Sequence, residues 1–287
     1  MKIVTDSGAD LTIKECEAIG VTMLPLKVEV DGVSYHSGVD ITPEKFYRLM
    51  DSAQGMPKTS TPSIGEFEEA YRRLAAEDPD ILSIHLSSGL SATYNAAVTA
   101  AKMVENADIA LIDTKTLSAG TAWQVKAAVE MLKAGLSKQA IVARLQQIQD
   151  ATFTFFTLPD LKYLIAGGRI SHLKGLLASL LGIKPVIEVD KLDGKYYDRG
   201  KKRSFMAAIQ DIPQQITKKI PAGSSIRTQL CSAENPSGAQ LAKEAMEKVF
   251  KVEWLPTVSL GTALGAHTGR GLVGIICAKT SDLPSLT

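Results

Sequence analysis

Ile81-Leu82-Ser83-Ile84-His85-Leu86, then Ser87-Ser88-Gly89-Leu90-Ser91, then the helical run Ala92 to Asn106, read as strand, tight turn and helix in direct succession. The apolar run has the length of a buried strand. The turn after it carries Ser87, Ser88 and Ser91. Hydroxyls and free backbone N–H groups gathered at a helix N-terminus make a ready anion site. A similar turn displays the nucleophile of serine hydrolases. On these residues alone both occupants stay open.

The flanking sequence repeats the alternation. Ile3-Val4-Thr5 predicts a strand ending at Asp6-Ser7, and Val21 to Val30 reads as extended with a break at Pro25. Thr42 with Pro43 marks a helix start, and Ser63 with Glu66 forms a capping box ahead of Phe67 to Glu77. Asp108 to Ile112 predicts a strand leading into Asp113-Thr114, then a helix to about Gly135 and another from Ser137. Such repetition predicts a mostly parallel sheet with helices on both faces, with ligands beyond the carboxyl ends of the strands. Asp6-Ser7, Ser87 to Ser91 and Asp113-Thr114 then share one edge.

The second half reads differently. Thr152 to Leu158 is β-rich, and a glycine-containing helical stretch runs from Leu161 through Gly167-Gly168-Arg169 to Leu181. Asp193-Gly194 between Lys184–Val189 and Lys195–Asp198 is a hairpin signal. Further strands are expected at Ile226 to Cys231, Val252 to Leu260 and Leu272 to Ala278, with a helix capped at Asn235-Pro236. The whole is an α/β chain of two domains, 1–152 and 153–287, the second α+β with a mainly antiparallel sheet.

At 287 residues, 45% hydrophobic and 22% charged, the chain has ample material for a core. Its net charge of +1 supplies no global field for nucleic acid. Runs such as Leu176 to Ile183 are too short to span a bilayer, and the N-terminus has no signal-peptide core, so no stable membrane insertion and a cytoplasmic location are expected. Cys16, Cys231 and Cys277 match no zinc or redox spacing and read as buried free thiols.

Gly89-Leu90-Ser91-Ala92-Thr93 nearly matches a nucleophile elbow but lacks its last glycine. Ser91, Asp113 and His267 follow in the order of an α/β-hydrolase triad, which keeps a serine hydrolase as the alternative. Ser171-His172-Leu173-Lys174 has no partner motif and is read as chance. There is no dinucleotide fingerprint and no Walker loop, and the four histidines form no metal motif. His85, in an apolar strand, reads as a satisfied core or near-site residue. Two loops remain: Met56-Pro57-Lys58-Thr59-Ser60-Thr61-Pro62, rich in hydroxyls, and Gly265-Ala266-His267-Thr268-Gly269-Arg270-Gly271, which sets an imidazole among glycines.

Taken together and in order, these segments resemble the DegV family: Val4-Thr5-Asp6-Ser7, Lys58 to Pro62, His85 to Tyr94, Gly167-Gly168-Arg169-Ile170-Ser171, Gly182-Ile183-Lys184-Pro185 and Ala266 to Gly271. The resemblance covers essentially the whole chain. It implies a bacterial fatty-acid-binding protein whose lipid lies between two α/β domains. It also implies a carrier, not an enzyme, that presents the acid to a separate fatty acid kinase for acyl-phosphate formation in phospholipid synthesis.

By the same resemblance, Thr59, Ser91 and His267 hold the carboxylate of a palmitate-like ligand, and Arg169 lies near the head or the kinase. Ser60, Thr61 and Ser88 join the expected ligand-binding set, with no catalytic residue, metal or cofactor. Thr61 and Ala92 depart from the family's usual glutamine and glycine. Lys201, Lys202 and Arg203 occupy the place of a basic segment implicated in kinase docking. The expected tail walls are Phe153 to Leu158, Leu161 to Ile165 and Leu176 to Ile183.

Overall fold

Strand β1 (Lys2–Asp6) lies at the centre of a parallel sheet with β2 (Val21–Leu24) on one side and β6 (Asp80–His85) and β7 (Asp108–Asp113) on the other. The computed structural model describes residues 1–173 and 182–284. Side chains alternate across this sheet, as the two-residue period of a strand requires. Ile3, Met23, Leu82 and Ile84 pack on helices α5 (Ala119–Lys133) and α6 (Lys138–Ala151). Val4, Leu24 and Ile81 face α3 (Ile64–Ala75) and α4 (Thr93–Ala101) through Phe67, Tyr71 and Ala97. Helices therefore cover both faces. The caps read from sequence form: Thr42 opens α2 (Pro43–Ser52), and Ser63 with Glu66 opens α3. A further capping box, Thr12 with Glu15, starts α1 (Ile13–Ala18).

At the carboxyl edge Asp6 Oδ2 meets His85 Nδ1 at 2.8 Å and accepts from the Leu86 N–H at 3.1 Å. His85 Nε2 lies 2.7 Å from Ser83 Oγ, which lies 2.8 Å from Tyr71 OH. Asp6, Ser83, His85 and Tyr71 are buried, so this relay satisfies polar groups in the core and closes the strand ends together. His85 is thus a core histidine.

Pro25 moves the chain from one sheet to another. β3 (Lys27–Val30) pairs antiparallel with β4 (Val33–His36) and with β5 (Lys58–Ser60). The hydroxyl-rich segment at Thr59 is therefore an edge strand, where the sequence reading has a loop. Three residues are too few to show an alternation.

The remaining strands form a seven-stranded sheet. Its order is β10 (Tyr196–Lys202), β9 (Lys184–Val189), β8 (Thr152–Thr157), β14 (Val273–Lys279), β11 (Ser225–Ser232), β12 (Lys251–Trp254), with β13 (Val258–Ser259) also on β11. Pairings are antiparallel except β12 and β13 with β11. The run Val252 to Leu260 is two short strands, broken where Pro256 cannot donate to the ladder. One face of the sheet packs Phe155, Val273 and Ile275 on α8 (Phe205–Ile216) and α9 (Pro236–Glu247). The other buries Phe156, Cys231, Leu272 and Ile276 against Val28 of β3, Phe46 and Tyr47 of α2, Leu164 of α7 (Lys162–Ala166) and Leu264 of α10 (Thr262–Thr268). The loop read around His267 is thus partly helix.

The Asp193-Gly194 hairpin turns over residues 190–195, tied by the Gly194 N–H to the Asp190 carbonyl at 2.7 Å. Its tip sits on the turn after β6, where Ser87 Oγ donates to the Gly194 carbonyl at 2.8 Å. The helical stretch beyond Leu173, including Lys174, and the proposed wall from Leu176 to Leu181 lie outside the described residues.

Candidate functional site

Between the face of the large sheet, α10 and β5 lies a cavity whose empty space, counted together with its mouth open to solvent, is about 810 Å³. Thr59, Ser60, Thr61, Ser91, Arg169 and His267 line it, and much of the rest is apolar, with Leu26, Leu86, Leu90, Phe156, Leu264 and Ile276. Six of the expected site residues therefore share one cavity. Ser88 does not. Its hydroxyl and N–H are bonded to the Asp113 carboxylate, which Lys115 also holds at 2.7 Å.

The polar groups gather through mutual contacts. β5 pairs Thr59 with Val28, so Thr59 turns inward while Lys58 and Ser60 are exposed. Thr59 Oγ1 lies 2.8 Å from His267 Nε2 in the last turn of α10. The His267 Nδ1 atom is buried without a hydrogen-bond partner among the described residues. It faces Gly167: a Cβ added there would lie 2.1 Å from it. Arg169 donates to the carbonyls of Gly167 at 2.6 Å and Leu90 at 3.3 Å. Ser91 Oγ accepts from the Thr93 N–H at 3.3 Å and lies 2.8 Å from Thr93 Oγ1. Ser91 thus caps the start of α4 in place of Ala92, which offers no side-chain cap.

Burial, and secondarily the Arg169 charge, pushes the His267 imidazole down to about 4, so it is neutral near pH 7. The hydrolase alternative is corrected by these partners. A triad needs the carboxylate on the imidazole. Asp113 is instead engaged by Ser88 and Lys115, and His267 by Thr59.

A second polar group stands at the other end of α10. With seven residues, that helix separates the two ends by about 10 Å. The N–H of Gly261, its N-cap residue, donates to Asp10 Oδ1 at 3.0 Å, and Ser118 Oγ donates to Asp10 Oδ2 and lies 3.2 Å from Cys231 Sγ. Ser118 and Cys231 line the cavity. Sequence reasoning missed Asp10 and Ser118. Their signal is a backbone one, since both have positive φ, at 53° and 54°. Of the segments read as tail walls, Phe155 and Phe156 border the cavity, whereas Leu161 and Leu164 belong to the core beside it.

Burial pushes the Asp10 carboxyl up to about 7, against the hydrogen bonds from Ser118 and Gly261 that favour its charge. The folded protein then holds this proton more tightly than the unfolded chain. Its contribution to stability is greatest below 3.8, falls as pH rises towards about 7, and is level above that. Asp10→Asn keeps the acceptor for Gly261 and removes the titration. The stability of the variant relative to the parent is expected to rise across that window in chemical denaturation. A pH-independent difference would contradict this assignment.

An apolar cavity with one cluster of hydroxyl, imidazole and guanidinium groups offers an amphipathic molecule apolar walls and a polar end. Residues 1–280 match the family described as an uncharacterised protein, DegV family, and the chain belongs to that family. It is 35% identical over 277 residues to a DegV domain-containing protein of Staphylococcus aureus, covering 96% of this chain and 98% of that one. Among solved structures, a fatty-acid-binding DegV family protein from Thermus thermophilus is 29% identical with a TM-score of 0.87, covering 97% of this chain and 99% of that one. A stearic-acid-binding protein from Eubacterium ventriosum is 27% identical with a TM-score of 0.82, covering 97% and 98%.

Proposed function

We propose that the cavity holds one long-chain fatty acid, with its carboxylate at Thr59, Ser91, His267 and Arg169, flanked by Ser60 and Thr61, and its tail along the apolar walls. One observation carries the reading. The Arg169 guanidinium, at the polar end of the cavity, is bonded to carbonyl oxygens and pairs with no carboxylate among the described residues. A buried or half-buried cation calls for a counter-ion. A neutral His267 donating from Nε2 to Thr59 Oγ1 leaves the Thr59 O–H to donate to the carboxylate. Ser91 donates likewise when Thr93 donates to it. The binding of fatty acids by the Thermus thermophilus and Eubacterium ventriosum relatives supports the same reading. The tail supplies most of the affinity: a ~16-carbon chain offers on the order of 11 kcal/mol gross, before ordering costs.

Arg169→Gln removes the charge and keeps a polar side chain. Loss of a charge-assisted hydrogen bond, worth about 1.5–3 kcal/mol, weakens stearate binding roughly 10- to 100-fold in a fluorescence-displacement titration. Unchanged affinity would remove Arg169 from the head site.

The protein on this reading is a cytoplasmic carrier, with a domain boundary at 152/153, in the first residues of β8 of the seven-stranded sheet. A separate kinase phosphorylates the presented carboxylate. The basic segment supports docking unevenly: Lys201 pairs with Asp198 at 3.3 Å and Lys202 with Asp211 at 2.9 Å, while Arg203 is exposed. Arg203→Glu is expected to slow acyl-phosphate formation by a fatty acid kinase several-fold with stearate affinity unchanged. An equal rate would exclude this segment.

A further inference from the structure

Leu272, just before strand β14, and Ile276 within it face the cavity side, while Val273, Ile275 and Cys277 face the helices α8 and α9. By the same alternation Gly274 belongs to the cavity side, and it lines the cavity. Gly274 is the second of the seven residues of β14. A glycine within a strand weakens it, and commonly marks a bulge, a bend or a close approach. None of these explains Gly274. Its pairing with Phe156 and Cys231 is regular, and it is absent from the positive-φ positions. A Cβ built on it would meet Leu272, Phe156 and Cys231 only at 3.6–3.7 Å, which is ordinary contact. The protein therefore has no need of the missing side chain's space for itself. The contrast is with Gly167, whose Cβ would strike the imidazole at 2.1 Å.

We infer that Gly274 is a specificity-determining residue: it leaves a lateral recess beside Cys231 that admits an acyl tail with sideways bulk, a cis double bond or a methyl branch. This rests on the reading of the cavity as a fatty-acid site. The recess lies next to Cys231, which contacts Ser118 in the polar group at the far end of α10 from His267. It therefore meets the tail beyond the head group. A straight saturated chain passes such a recess without filling it, whereas a kinked or branched chain needs the width.

The test compares stearate, oleate and 10-methylstearate on delipidated wild type, Gly274→Ala and Gly274→Val. In Gly274→Ala, affinity for oleate and 10-methylstearate falls relative to stearate by about fourfold, the equivalent of one displaced methylene, and by more in Gly274→Val. A fall in both probes assigns the recess to lateral bulk in general, and a fall in one alone assigns it to a kink or to a branch. The thermal midpoint of ligand-free Gly274→Ala stays level or rises, since alanine loses less chain entropy on folding and meets no clash. That keeps the test valid if the valine variant folds poorly. An unchanged ratio, or an equal loss for all three acids, overturns the inference and leaves the fatty-acid reading standing. Wild type that binds none of the three overturns the fatty-acid reading itself, and this inference with it.

Discussion

Gly167→Ala is expected to lower fatty-acid affinity about 100-fold or more while leaving the fold intact. The backbone of Gly167 is near helical, with φ of −77°, so alanine adds no backbone strain there. The effect comes from the side chain. Its Cβ would lie 2.1 Å from His267 Nδ1 and 2.8 Å from Cε1, and the Tyr163 carbonyl at 3.1 Å closes another direction. The imidazole must swing away, which breaks its 2.8 Å contact with Thr59 and shifts the group that orients the Thr59 hydroxyl. The peptide that carries the substitution also accepts from Arg169, so two head-group donors move together. Each hydrogen bond to a charged group is worth about 1.5–3 kcal/mol, and losing more than one gives the stated factor. Titration with stearate measures it. The double variant Gly167→Ala/His267→Ala relieves the clash and recovers thermal stability without recovering affinity, which separates packing from binding. Affinity within twofold of wild type would show that His267 has no part in the head site.

Gly194→Ala is expected to be the most destabilising of the substitutions considered. Gly194 has φ of +69°, a region alanine enters at a cost, and its Cβ would lie 1.8 Å from Ser87 Oγ and 3.0 Å from Ser87 Cβ. Relief requires the hairpin tip to lift from the turn after β6, which gives up the buried Ser87 bond to the Gly194 carbonyl. Backbone strain, a clash and a lost buried hydrogen bond together cost about 2–4 kcal/mol, or roughly 3–7 °C in thermal midpoint for a chain of this size. Scanning calorimetry on ligand-free protein reads this directly. A midpoint within a degree of wild type would mean that the hairpin does not seat on Ser87 in solution.

The parallel sheet was legible because its signals are local. Thr42, Ser63, Ser137 and Asn235 each cap the helix that their position announces, and the apolar run at Ile81 alternates between two covered faces. The meeting of Thr59 with His267 was legible in a different way. Thr59 and His267 meet across 208 positions, a separation no local pattern reports, and they were brought together by the family's motifs. What the residues concealed were elements held by tertiary contact. β5 exists because β3 offers its edge, and α10, only seven residues long, is too short to be stable alone and packs on α2 and α7. Ser88 illustrates the converse. Its place in a serine-rich turn marks it as a ligand group, yet Asp113 on the adjacent strand takes its hydroxyl. Gly167 and Gly194 look like flexible punctuation in the sequence, and in the fold each is the absence of a side chain that a neighbour occupies.

Native mass spectrometry of the purified protein, followed by denaturation and lipid extraction, tests the central claim most directly. One fatty acid per chain is expected, released on denaturation and replaceable by added stearate. A protein that is empty as purified and takes up no added stearate would contradict it.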